Sequence, residues 1–218
     1  MIVEFAGMPN TGKTSCIDLV ADYFRRQGHG VRVEGERAQV CPFFRSYRRR
    51  FATWMAEQAV ATIHEAVRNG DGETLVLVDR GIFDSIAFLK LLCIENLMEK
   101  REFDSLVEDL GLLRAAQQTE MVLLYTAKPE TSQSRDVITR MFGFHGAITN
   151  PSTLKALLSA YAETLVAFGD RFPDVRLVDT DLKSPADVLS ETLSYIEGQQ
   201  GISSDTNATG VETLPSTP

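Results

Sequence analysis

The residues whose types and spacing could do chemistry stand near the N-terminus. The stretch "AGMPNTGKTSC", 6 to 16, holds Gly7, four residues, and then Gly12-Lys13-Thr14. That is the spacing of a loop that wraps phosphate. Small residues let successive backbone amides turn inward toward phosphate oxygens, and a helix N-terminus behind the loop adds its positive dipole end. Lys13 is long enough to reach terminal phosphates, and Thr14 offers a hydroxyl to a magnesium ion. Gly7, Asn10, Thr11, Gly12, Lys13, Thr14 and Ser15 are therefore the expected nucleotide contacts, with ATP and Mg²⁺ as the expected cofactors. A hydrated magnesium also needs a carboxylate, placed where open α/β sheets put their ligands, at the carboxyl end of a neighbouring strand. Asp79, which closes the apolar run "TLVLVD", has that place.

Such a loop works only between a strand and a helix, and the flanking sequence has both. "IVEFAG" (2 to 7) is a short apolar run ending in glycine, and Ile17, Val20, Ala21 and Phe24 then recur at helical spacing. Gly28 and Gly30 stop that helix after Arg25-Arg26, and "VRVEGE" follows as a second strand. From Phe51 a helical period runs through Trp54, Met55, Ala59, Ile63 and Ala66 to the turn "NGDG". The strand "TLVLVD" (74 to 79) comes next, then helical stretches at about 84 to 98 and 102 to 117. After these come the strand "MVLLYT", a helix opened by Pro129-Glu130, a helix from about 152 to 168, the strand "VRLVDT", and a last helix opened by Ser184-Pro185. Five strands alternating with helices predict a three-layer, doubly wound, five-stranded parallel sheet of the α/β class.

The bulk composition suits this reading. The chain has 218 residues, 44% of them hydrophobic, enough for one compact domain. A formal net charge of -8 excludes a protein that coats nucleic acid or an anionic membrane through its overall field, so anions must be captured by local clusters. Three cysteines without a CxxC pair predict neither a disulfide framework nor a zinc site, and a cytoplasmic location is expected. No apolar stretch is long enough to span a bilayer. Residues 1 to 197 are expected to form one domain with a lid at about 128 to 150. Residues 198 to 218 lack aromatics and any periodic apolar face and are expected to be a disordered tail.

Beside the loop, "VDRGIFDSIAF" (78 to 88) resembles the Asp-Arg segment, with its following Ser-x-x-Ala pattern, of thymidylate kinases, and the Glu-Arg segment of deoxynucleoside kinases. "VEGERA", "TAKPETSQSR" and "LVDTDLKSPADVL" fall where that superfamily keeps its acceptor glutamate, its lid and its base-side loop. The resemblance implies a P-loop kinase of the nucleoside and nucleotide kinase type, its partner a small nucleoside or nucleotide acceptor. It implies that Lys13 bridges the donor phosphates, Thr14 ligates magnesium, Arg80 touches the acceptor or the transferred group, and Glu36 takes the place of a catalytic glutamate. Arg135 and Arg140, on the helix after "TAKPE", would be lid arginines that stabilise transition-state charge. Gly143 and Gly146 would let that lid hinge, with His145 a lid contact. Trp54 and Phe51 are candidates for stacking on an acceptor base or for the core.

The acceptor itself stays open between two chemistries. A sugar hydroxyl is a weak nucleophile that needs a nearby base, which Glu36 or Asp79 could be. An acceptor phosphate needs cations, which Arg37, Arg45, Arg48, Arg49 and Arg50 could supply. A kinase of a polynucleotide 5′ end, an antibiotic or another hydroxylated metabolite would keep the same donor site, and a non-catalytic ATP sensor would keep it without turnover. The guanine-reading Asn-Lys-x-Asp of regulatory GTPases is absent. Asp79 is followed by Arg80 where water-activating ATPases carry a second acid. Oligomeric state is left open, a homodimer included.

Overall fold

The computed structural model of the protein describes residues 1–141 and 150–200. Its elements in order are β1 (Ile2–Gly7), α1 (Lys13–Arg26), β2 (Val31–Glu34), α2 (Arg48–Arg68), β3 (Leu75–Asp79), α3 (Ile82–Ile94), α4 (Lys100–Asp109), α5 (Leu112–Ala116), β4 (Met121–Thr126), α6 (Pro129–Met141), α7 (Pro151–Phe168), β5 (Val175–Asp179) and α8 (Pro185–Gln200). The five strands make one sheet in the order β2-β3-β1-β4-β5, and every adjacent pair is parallel. This is the three-layer, doubly wound P-loop NTPase fold.

The central strands read as continuous apolar runs because helices cover both faces of the sheet. One face packs Ala6, Val76, Val78, Val122 and Leu124 against α2, α3, α5 and α7. The other packs Val3, Phe5, Leu75, Leu77, Leu123 and Tyr125 against α1 and α8. Glu4 breaks this pattern: it is fully buried in the middle of β1. Strand order reverses around β1, so the crevice beyond the carboxyl ends of β1, β3 and β4 is the natural ligand position.

Several element boundaries differ from the sequence-based expectation, each for a local reason. The expected helix at 102 to 117 is two helices, because Gly111 adopts φ 69, ending α4 and opening α5. The preceding helix stops at Ile94, and Asn96 follows with φ 55. The helix expected from Phe51 begins at Arg48, so half of "RSYRRR" is its first turn. Arginine at a helix N-terminus is unfavourable to the dipole. The ion pairs of Arg48 with Glu95 and Arg49 with Glu102 offset this and tie α2 to the segment after α3 and to α4. At the C-terminal end α8 reaches Gln200, three residues into the stretch expected as tail; residues 201–218, the expected hinge at Gly143 and Gly146, and the expected lid contact His145 lie outside the described residues.

Candidate active site

The loop between β1 and α1 owes its shape to two glycines with different constraints. Gly7 has φ 125, and a Cβ placed on it would lie 2.0 Å from the Tyr125 carbonyl oxygen of the adjacent strand. Only glycine permits so close an approach. Gly12 has φ 86 with open space where a Cβ would be, so its requirement is the left-handed backbone alone. Asn10 is also left-handed, at φ 58. The first α1 hydrogen bond runs from the Cys16 amide to the Gly12 carbonyl at 2.9 Å, and no side chain caps the helix. The amides of Lys13, Thr14 and Ser15 therefore precede the helical ladder, and all three residues line the crevice, as an anion site requires. The Gly7 amide is not part of this set, since it donates to Asp84 Oδ1 at 2.9 Å.

Lys13 lies folded into the loop. Its Nζ donates to the Met8 carbonyl at 2.6 Å, the Gly7 carbonyl at 3.1 Å and Thr11 Oγ1 at 3.3 Å. Burial, and then the nearby Arg80 cation, lower its pKa to about 7. Thr14 Oγ1 donates to Asp79 Oδ2 at 2.8 Å. A hydroxyl beside a carboxylate at the mouth of a phosphate loop fits magnesium, which keeps most of its waters and takes one or two protein oxygens plus phosphate oxygens. Among the described residues no group of three or more His, Cys, Asp or Glu is placed to hold a metal. The protein's share of such a site would thus be Thr14 and Asp79.

Arg80 follows directly, with φ 64, a left-handed conformation uncommon outside glycine. Its amide donates to the Phe5 carbonyl at 3.2 Å. Its guanidinium donates to Asp84 Oδ2 at 2.6 Å and to the Gly7 carbonyl at 3.2 Å, lies 3.5 Å from Glu36 Oε1, and stands 5.7 Å over the Phe88 ring. Burial works against its charge, but Asp84, Tyr161, Glu36 and Asp79 outweigh it and hold the cation well above the ordinary range. Beneath this turn, Glu4 accepts the amides of Gly81, Phe83 and Asp84, each at 3.0 Å. Burial first, and then the Asp84 charge, raise Glu4 to about 7, against the pull of those amides.

Lys13, Thr14, Asp79 and Arg80 border one cavity of about 730 Å³, within the size range of small-molecule sites. Lys13, Thr14, Ser15, Glu36, Asp79 and Arg80 line its polar part. Phe51, Ala52, Phe88, Leu91 and Leu92 supply its apolar lining, with Gln39, Arg45, Arg48, Asn150 and Thr153 also on the wall.

Other expected site residues stand elsewhere. Arg37 pairs with Glu34 at 3.5 Å and donates to Gln58 at 3.4 Å, off the main cavity. Trp54 is half-buried and is not on the cavity wall; Phe51 is. Arg135 donates to Thr180 Oγ1 at 2.9 Å and to the Thr180 carbonyl at 2.6 Å, at the end of β5. The side chain of Arg140 lies outside the described residues. Helix α6 itself touches the loop, since Ser132 Oγ donates to the Pro9 carbonyl at 2.8 Å.

Sequence reasoning did not find Glu4, Asp84, Tyr161 or Phe88 as parts of this site. Glu4 did carry a signal, a lone charge inside a buried strand. Tyr161 carried none, being one apolar-spaced aromatic on a long helix.

No family model matches the chain, and no curated protein sequence matches it. Solved structures do. A deoxyadenosine kinase from M. mycoides with products dCMP and a flexible dCDP bound superposes with a TM-score of 0.66 at 14% identity, covering 91% of this chain and 100% of that one. The same kinase with dCTP gives 0.61 at 14% identity over 91% and 100%, and with dATP 0.62 at 14% over 90% and 100%. At this identity the likeness is one of fold.

Proposed function

We propose that the protein transfers the γ-phosphoryl group of ATP to a nucleoside or nucleoside monophosphate, with Mg²⁺ as the metal. The observation that carries this reading is that Lys13, the Thr14–Asp79 pair and the Arg80–Glu36 pair line one cavity together with Phe51, Phe88, Leu91 and Leu92. The donor phosphates would lie against the amides at the start of α1, drawing the Lys13 ammonium off the Met8 and Gly7 carbonyls. Bound at Thr14 and Asp79, magnesium would neutralise charge on the phosphates. Arg80 would stabilise charge on the transferring group. The apolar lining that includes Phe51 and Phe88 would take the flat body of a base.

Of the two acceptor chemistries, the hydroxyl is favoured. Glu36 is a carboxylate at the reaction end of the cavity, 3.5 Å from Arg80, where it repels an acceptor phosphate and can accept a hydroxyl proton. Arg48, one of the cations an acceptor phosphate would use, is already paired with Glu95. The deoxynucleotides bound in the M. mycoides kinase support a deoxynucleoside as the first acceptor to try.

The test is to incubate the full chain with ATP, Mg²⁺ and a panel of nucleosides, nucleoside monophosphates and 5′-hydroxyl oligonucleotides, following ADP and the labelled product. Phosphorylation of a nucleoside is the expected result. Product only from oligonucleotides would move the acceptor to polynucleotide ends. ATP binding with no acceptor phosphorylated would replace the kinase by a nucleotide sensor.

A further inference from the structure

The buried pair Asp84 and Tyr161 is unaccounted for by the groups that would touch ATP or acceptor. Asp84 stands on the first turn of α3, only 2% exposed, and Tyr161 lies in the middle of α7, 1% exposed. The Tyr161 hydroxyl is 2.6 Å from Asp84 Oδ1 and 2.9 Å from the Gly7 carbonyl, with one proton to share between them. The same Oδ1 accepts the Gly7 amide, while Oδ2 accepts the Arg80 guanidinium. Gly7 is thus held at both its amide and its carbonyl, and the acceptor of its amide is also the counter-charge of Arg80.

We infer that Asp84 and Tyr161 are positioning residues, a carboxylate and phenol that lock the Arg80 guanidinium to the backbone of the first glycine of the phosphate loop, so that the cation keeps a fixed place on the cavity wall beside the loop that would hold a triphosphate. The inference rests on nucleotide binding at the loop for its affinity readout and on the kinase reading for its catalytic readout.

Three observations support a positioning role over simple core filling. A phenylalanine would fill the Tyr161 space equally well and avoid burying a hydroxyl, so the hydroxyl's use lies in its partners. Asp84 connects a cation that borders the cavity to the backbone at the start of the loop, whose residues 9 to 15 line that cavity. Tyr161 also brings in a third element: the start of α7 lines the cavity at Thr153, preceded by Asn150, so the pair links that wall to the loop. Without the pair, Arg80 would keep Glu36 and the Gly7 carbonyl as partners and could swing toward solvent. Displacements of about 1 Å at such a site can lower turnover about 100-fold.

The decisive variant is Tyr161→Phe, which removes one oxygen from a buried ring, with Asp84→Asn and Asp84→Glu beside it. Three quantities are measured on the full chain: apo melting temperature, ATP affinity by calorimetry with Mg²⁺, and kcat and KM for whichever acceptor the wild type uses. Tyr161→Phe is expected to lower kcat about 10-fold or more and weaken ATP binding several-fold, with acceptor KM within about 2-fold. Asp84→Asn is expected to do worse, with partial recovery in Asp84→Glu. A Tyr161→Phe protein with a shifted melting temperature but wild-type ATP affinity and kcat overturns the inference, because only core packing would then have changed. A wild type that binds ATP but phosphorylates nothing defeats the kinase reading alone. ATP affinity still decides the positioning role, loss in Tyr161→Phe supporting it and no change overturning it.

Discussion

Thr14 and Asp79, 65 residues apart in sequence, meet with Oγ1 and Oδ2 2.8 Å apart at the point where α1 begins and β3 ends. Sheet register brings them together: Phe5 pairs with Asp79, and the loop leaves β1 two residues later. If this hydroxyl and carboxylate share a magnesium ion, Asp79→Asn should weaken ATP binding at least about 10-fold in Mg²⁺ and little in EDTA. Calorimetry under both conditions checks it. Equal weakening with and without metal would move Asp79 from metal holding to simple loop structure.

Gly7→Ala tests the other end of the loop. The added Cβ would meet the Tyr125 carbonyl at 2.0 Å in a backbone conformation that alanine avoids. β1 and β4 would have to separate at Gly7↔Tyr125, and the Gly7 amide would leave Asp84. A loss of about 3 kcal/mol or more in denaturant unfolding is expected. Gly12→Ala, with open space around its Cβ, should cost about 1 kcal/mol, the left-handed penalty alone.

How much of this was legible in the sequence depends on the range of the signal. The sheet was legible because β1, β3 and β4 are short uninterrupted apolar runs between helical periods, a pattern that few other folds satisfy. Lys13, Thr14 and Asp79 were legible because motif spacing and strand ends locate them. Asp84 and Tyr161 were not, because their contact joins α3 to α7 across 77 residues, and neither residue departs from what a helix tolerates. The split at Gly111 turned on one residue's φ, which a glycine permits but does not announce. Arg37 and Trp54 were assigned by position along the chain, whereas the direction a side chain takes from its helix or turn decides which cavity it lines.

Glu4 predicts a pH signature of folding. Its carboxyl is raised from 4.5 to about 7 by burial and by Asp84, so between those values the folded state binds more protons than the unfolded chain. The contribution is fully present below about pH 4.5 and is lost as pH rises through about 7, a change of roughly 3 kcal/mol. Denaturant unfolding of wild type and Glu4→Gln across this window isolates it. The stability difference, wild type minus variant, should fall as pH rises and then level off. Parallel curves would mean that the three amide donors keep Glu4 ionised throughout.

Lys13 predicts proton uptake on nucleotide binding. Burial and the Arg80 cation lower its pKa from 10.5 to about 7, so above neutrality the free protein holds it largely as the uncharged amine, which can donate to two of its three loop acceptors at a time. A polyphosphate in the loop would favour the ammonium and restore the pKa toward its ordinary value. Between about pH 7 and 10.5 binding must therefore take up a proton, approaching one per site near pH 8.5. Calorimetry with ATP at about pH 8.5 in buffers of different ionisation enthalpy reads that number directly as a slope. Lys13→Arg, permanently charged, should bind with a slope near zero, and Lys13→Ala should abolish any phosphoryl transfer while the fold persists. A wild-type slope near zero would mean that Lys13 is already charged in the free loop, its three hydrogen bonds outweighing desolvation.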